Sequence, residues 1–174
     1  MKKTAPKTAE LKANNVKNQF ARTILWHFGK GGKSTENWQA ALEFFDGRCA
    51  YCGSKKGIVK DHAIPANRKW LGTNQHGNFV PACTACNQEK RDKHFEEFCD
   101  EKNLKKEKAK ITKWMKQCRY EPLANNNVKA RKITKILDMA YHDLDKLADR
   151  YAKLIELVSN RKPHSPDSIR PTDT

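Results

Sequence analysis

The apolar positions of this chain recur mostly at helical intervals, with one stretch where they do not. Val16, Phe20, Ile24 and Leu25 predict a helix behind a mobile basic N-terminal tip. Trp38, Ala41, Leu42 and Phe45 form the apolar face of a second helix near Thr35 to Phe45. The pattern then changes. Ile58 to His62 reads as a short strand, Ala66 to Gly77 as a polar loop, and Asn78 to Val80 as a second strand. Thr84 to about Cys99 follows as a helix that packs Phe95, Phe98 and Cys99 on one side. A lysine-rich helix over residues 101–119 carries Ile111, Trp114 and Met115 on an apolar stripe. After a break at Pro122 to Asn127, a long helix spaces Ile133, Leu137, Ala140, Leu144, Leu147, Tyr151, Leu154 and Val158 alternately by four and three, a heptad seam. That seam packs on a neighbouring helix of the same chain or, as the sharper alternative, joins two copies into a homodimer through residues 133–158.

The predicted fold class is α+β and mostly helical, in four parts. Residues 1–45 are a basic arm and helices, 46–100 a core that holds the chemistry, 101–160 a basic helix and a long heptad helix, and 161–174 a disordered tail marked by Pro163, Pro166 and Pro171. The Gly29 to Thr35 stretch invites comparison with a phosphate loop. The position five residues before Gly32 is His27 rather than Gly, so a flexible turn is the better reading.

Charge narrows the partner. A net charge of +15 and a hydrophobic fraction of 37% over 174 residues leave a modest core and favour a polyanion, because Lys and Arg binding to phosphates releases counterions. Residues 1–35 alone hold eight Lys or Arg against one acid, Glu10. No apolar run is long enough to span a membrane and the N-terminus lacks a signal-peptide core, which makes a cytoplasmic location the expectation. A basic amphipathic helix also suits an anionic membrane, but the cysteine spacing makes nucleic acid the better partner.

Cys49-Ala50-Tyr51-Cys52 and Cys83-Thr84-Ala85-Cys86 are two short pairs that can fold as knuckles and close one tetrahedral zinc site. In a reducing compartment such pairs are metal ligands rather than disulfides. Cys99 and Cys118 are left over and read as small buried hydrophobes. The segment between the knuckles contains Asp61-His62 and becomes a loop pinned at both ends. Such a loop can hold a harder metal ion and a general base in fixed geometry, which phosphodiester hydrolysis requires.

With these motifs in hand, the stretch from Arg48 to about His94 resembles the HNH endonuclease family. The matching pieces are CAYCG at 49–53, KDHAIP at 60–65, GNFVPAC at 77–83 and CNQEK at 86–90. The resemblance implies a ββα-metal core flanked by helices, with Cys49, Cys52, Cys83 and Cys86 binding a structural Zn2+. It further implies that His62 is the general base, Asp61 a ligand of the catalytic divalent ion, and Asn78 the central Asn that helps fix the loop and the base. The third signature position, usually His, is Asn87 here, a His-Asn-Asn pattern.

Elementary chemistry agrees with those roles. A neutral imidazole can take a proton from water near pH 7, and oxygen donors such as Asp61 and Asn87 favour Mg2+ or Mn2+ over a soft metal. Asp61 and His62 are adjacent on a strand, so both reach one phosphate only where the strand ends or bends. Asn78 is expected to hold the imidazole orientation across the loop. Arg68, Lys69, Lys90 and Arg91 are candidate DNA contacts, with the basic arm and the Lys102 to Lys116 helix beside them. The expected activity is a one-metal double-stranded DNA endonuclease of restriction or phage type. The alternative is a non-catalytic zinc-bound nucleic-acid-binding protein, which needs neither Asp61-His62 nor Asn87.

Overall fold

The computed structural model describes residues 8–28 and 34–159 of the protein. The basic tip, the turn at Gly29 to Lys33, the proline-rich tail and the side chain of Val158 lie outside the described residues. Among the described residues, six α-helices and two strands follow one another as α1 (Thr8–Phe28), α2 (Ser34–Phe44), β1 (Ile58–His62), β2 (Phe79–Cys83), α3 (Thr84–Lys90), α4 (Phe95–Glu101), α5 (Lys105–Gln117) and α6 (Asn127–Ser159). A 3-10 turn, Leu123–Asn125, occupies the break before α6.

The strands pair antiparallel, with Ile58 opposite Cys83, Asp61 opposite Val80 and His62 opposite Phe79. β1 has the predicted bounds. β2 starts one residue later than predicted and runs on through Pro81 to Cys83. A proline fits there because its missing N–H costs nothing on the unpaired edge. Its carbonyl accepts from the Ala50 amide at 2.7 Å, which ties the first cysteine knuckle to the sheet.

The helix predicted from Thr84 to Cys99 is two helices. Arg91, with φ 51° and ψ −115°, ends α3, and the extended His94 caps α4 by accepting from the Glu96 amide at Nδ1. No Gly or Pro marks this break in the sequence, so periodicity alone runs through it.

Two apolar cores result. The first gathers Ala41 of α2 and Phe45 just after it, Tyr51, Val80 and Ala82, Phe95, Phe98 and Cys99 of α4, and Ile111, Trp114 and Met115 of α5. Its aromatic centre includes Trp114 against Phe44 and Phe45, and the Trp114 indole donates to the Phe79 carbonyl at 2.9 Å. The predicted stripe of α5 is therefore buried, and the leftover Cys99 is buried as expected, with its thiol raised to about 11 by burial. Cys118 is only half-buried against this core.

The second core is smaller and pairs α1 with α6 through Ala21, Leu25, Ile133 and Leu137, each 1% exposed or less, together with Leu71 and Leu123. The α1 face is the predicted one in part: Leu25 is inside and Ile24 packs against this core as expected, Ala21 joins them, and Val16 and Phe20 are exposed. The predicted seam of α6 is split in the same way. Its first two positions pack on α1 within the chain, and Leu147, Tyr151 and Leu154 are exposed. Leu71 brings the loop between β1 and β2 into this second core.

Candidate active site and metal centre

The four Sγ atoms of Cys49, Cys52, Cys83 and Cys86 lie within 4.8 Å of one another, with Cys52 and Cys83 at 3.6 Å. Tetrahedral zinc with Zn–S bonds near 2.3 Å sets its sulfurs about 3.8 Å apart. The cluster fits zinc on donor type and spacing. Each knuckle is built by its own backbone. The Cys49 carbonyl accepts from the Gly53 amide at 2.9 Å, where Gly53 adopts φ +73°, and Cys83 caps α3 with its sulfur accepting from the Cys86 amide. Burial pushes the Cys49 and Cys86 thiols up. For Cys83 burial acts the same way, but hydrogen bonds from Cys86 and from the neighbouring thiols outweigh it and bring the thiol down. Four ionised thiols this close need a cation between them.

Next to this centre, β1 ends and the loop begins. Asp61 is buried, and its carboxylate accepts from the Tyr51 hydroxyl at 2.7 Å. Lys90 Nζ stands 3.2 Å and 3.4 Å from the two oxygens of Asp61 and donates to the His62 carbonyl at 2.8 Å. Lys90 was expected at a DNA surface. Instead it is completely buried and turned inward, held by its place in the last turn of α3 against the strands.

The His62 ring packs on Phe79, and its Nε2 lies 2.6 Å from Asn74 Oδ1. A carboxamide oxygen only accepts, so the proton is assigned to Nε2 and the Nδ1 lone pair is left free. Burial lowers the imidazole below its ordinary value. Asn74 and the Asp61 charge pull the other way, and the Arg22 and Lys90 charges add to the lowering. A group so placed is neutral at pH 7 and able to accept a proton.

Asn78 carries out one half of the task predicted for it, fixing the loop, and not the other, holding the ring. Its Oδ1 accepts from the Ile64 amide at 2.8 Å, and its Nδ2 donates to the Ile64 and Thr73 carbonyls at 2.9 and 2.8 Å. It staples the loop at three backbone groups and touches no imidazole nitrogen in these bonds. Asn74 orients the ring. Nothing in the sequence distinguished Asn74 from the other polar residues of this loop.

A cleft of about 560 Å³ opens at this end of the sheet, lined by Asp61, His62, Asn87 and Arg91 among others. The structure therefore brings together three of the predicted catalytic residues, Asp61, His62 and Asn87, and places Asn78 behind them. Strand alternation does not separate Asp61 from His62, because β1 ends at His62. Among the described residues Asp61 Oδ1 has only the long contact to Lys90, which leaves lone pairs for a ligand. With the Asn87 carboxamide in the same cleft, the donor set suits a hard divalent cation. The remaining predicted contacts are engaged elsewhere: Arg68 bonds Asp138 of α6, and Lys69 pairs with Glu97 at 3.5 Å and lies over the Trp70 ring. His94 packs between Trp70 and Phe95, in keeping with its capping role.

Comparison with known proteins covers this same segment. Residues 49–93 match the HNH endonuclease family model. The HNH match begins at the first zinc-type cysteine and ends just before the cap of α4, so it contains every predicted catalytic position. The "SPbeta prophage-derived putative HNH endonuclease YoqL" of Bacillus subtilis (strain 168) is 31% identical over 99 residues, covering 48% of this chain and 42% of the relative. The chain spans less than half the length of that relative. No solved structure matches the chain. No helix among the described residues is long and apolar enough to cross a membrane.

Proposed function

We propose that this protein is a metal-dependent DNA endonuclease whose HNH core is stapled by structural zinc. The observation that carries the reading is the cleft shared by a neutral, oriented His62 and the oxygen donors Asp61 and Asn87. In this reading β1, β2 and α3 are the ββα-metal unit. Asp61 and Asn87 would hold a divalent ion, Mg2+ or Mn2+ by the hardness of the donors, which would supply Lewis acidity for the phosphate and the departing oxygen. His62 acts as general base through Nδ1, taking a proton from the attacking water while Asn74 holds Nε2–H. Tyr51 and Lys90 fix the Asp61 carboxylate, and Asn78 keeps the loop closed so that Asn74 stays in place. One metal suffices where an imidazole supplies the base. A net charge of +15 suits a DNA backbone. The prophage-derived name of the relative supports a phage-encoded role.

The test is plasmid cleavage by zinc-loaded wild type and His62→Ala, in EDTA and then with Mg2+ or Mn2+. Wild type should nick or linearise DNA only with the divalent ion. His62→Ala should lose about 10²–10⁴-fold in rate, the usual contribution of general-base catalysis, while still binding DNA. A wild type that binds DNA and cuts with no divalent ion tried would instead identify a non-catalytic zinc-bound binding protein.

A further inference from the structure

The HNH match begins at Cys49, yet one wall of the active-site cleft comes from α1, which lies entirely before it. Asn18 and Arg22 of α1 line the same cleft as Asp61, His62, Asn87 and Arg91. They are four residues apart, hence neighbours on one helix face. Among the described residues neither Arg22 nor Arg91 has a carboxylate partner, whereas Arg68, Lys69, Lys93, Lys102, Lys108 and Lys110 are each paired with an acid.

The placement of Arg22 is built rather than incidental. Its neighbour Ala21 and, one turn on, Leu25 are fully buried against Ile133 and Leu137 of α6. Lys17, one turn earlier, pairs with Asp145 of α6 and lies over the Tyr141 ring. Leu71, from the loop that also carries Asn74, is inserted into this same core with φ +53°. The helix that carries Arg22 is thus locked to the loop that orients His62. Arg91 stands at the end of α3, with φ 51° and ψ −115°, where the chain turns out of the helix beside the cleft.

We propose that α1 belongs to the active site: Arg22, with Asn18 one turn before it, binds a phosphate of the DNA strand in the cleft, together with Arg91, and holds the phosphodiester over His62 and Asp61. The inference rests on the nuclease reading above. A guanidinium offers a planar fork of donors to phosphate oxygens, and its charge opposes the charge that builds there as the P–O bond breaks. α1 would also make cleavage depend on the second core, since the arginine reaches the cleft only while α1 is docked on α6.

The experiment measures single-turnover cleavage of a labelled duplex by full-length wild type, Arg22→Ala, Arg22→Lys and a control, Arg150→Ala, which alters an exposed residue of α6. Duplex affinity against salt is measured for the same proteins without divalent ion. Arg22 is exposed on a helix, so the alanine variant should fold and keep its zinc. Arg22→Ala should cut about 10²-fold more slowly, as for other lost transition-state donors. Arg22→Lys should fall between, because charge survives but the fork does not. The salt slope of Arg22→Ala should drop by about 1, one phosphate contact fewer. Arg22→Ala cutting at the wild-type rate overturns the inference, whatever the slope, and leaves the nuclease reading intact. If wild type itself never cuts, the nuclease reading fails and the slope alone decides whether Arg22 contacts phosphate; an unchanged slope overturns that too.

Discussion

Asp61 illustrates how much a single side chain's role depends on what surrounds it. The sequence marked it as a metal ligand, and it does line the cleft, but Tyr51 and the buried Lys90 already hold its carboxylate. Removing one partner of a buried ion pair leaves the other charge uncompensated, which costs about 3–5 kcal/mol. Lys90→Met should therefore lower stability by that amount in urea denaturation, an effect that a surface lysine contacting DNA would not show. His62 carries the matching pH prediction. Burial sets its folded value below the ordinary imidazole range, so the base should stay neutral, and cleavage should persist, as pH falls below about 6.5. The same displacement acts on stability with a definite sign. The unfolded chain takes up the proton first, so the contribution is whole above about 6.5 and is lost as pH falls from there through the folded value. A pH–rate profile with an acid limb at or above the ordinary imidazole value would contradict this assignment.

At the scale of elements, the loop between β1 and β2 is the part that periodicity described least. It reads as polar and irregular, yet Asn78 binds it at three backbone groups and Gly72 lets it pass over itself. A Cβ at Gly72 would lie 1.9 Å from the Ile64 carbonyl oxygen and 2.7 Å from that of Pro65. Backbone cannot yield as a flexible side chain does. Gly72→Ala should cost at least the 1–3 kcal/mol typical of overpacking, read as a lower denaturation midpoint with an unchanged slope. It should also slow cleavage, because the same loop carries Asn74. The helices were more legible: Ile111, Trp114 and Met115 of α5, Ala41 of α2 and Phe45 at its end are buried where the pattern placed them. The break at Arg91 was not, since it depends on α4 docking its N-terminus on the Ala63 carbonyl, a contact between distant segments.

For the whole molecule, the cysteine cluster borders the first core, which includes Cys49 and Cys83 among its buried members. Structural zinc contributes on the order of 10 kcal/mol in small domains, more than the net stability of most. A strong chelator should therefore abolish the cooperative thermal transition and release one zinc per chain, whereas mild EDTA that removes only the catalytic ion should stop cutting and leave the transition in place. A transition unchanged after complete metal removal would refute the zinc assignment. The second core ties α1 to α6 at a distance in sequence of more than a hundred residues. Its existence was readable from two amphipathic helices; that they cover each other was not.

The sequence by itself determined the chemistry that short spacing dictates. Two Cys-x-x-Cys pairs make knuckles from local turns, and Asp61-His62 at the end of a strand, Asn78 before the next and Asn87 in the helix after it are brought together by one hairpin and one helix. Only the tertiary structure decided what meets those groups. Lys90 faces inward because α3 lies against the strands, Asn74 rather than Asn78 reaches the imidazole because of the path of the stapled loop, and Arg22 enters the cleft because α1 docks on α6. Periodicity records which face of an element is apolar. It holds no information about which distant face will cover it, because that choice is made by packing energies summed over both surfaces at once.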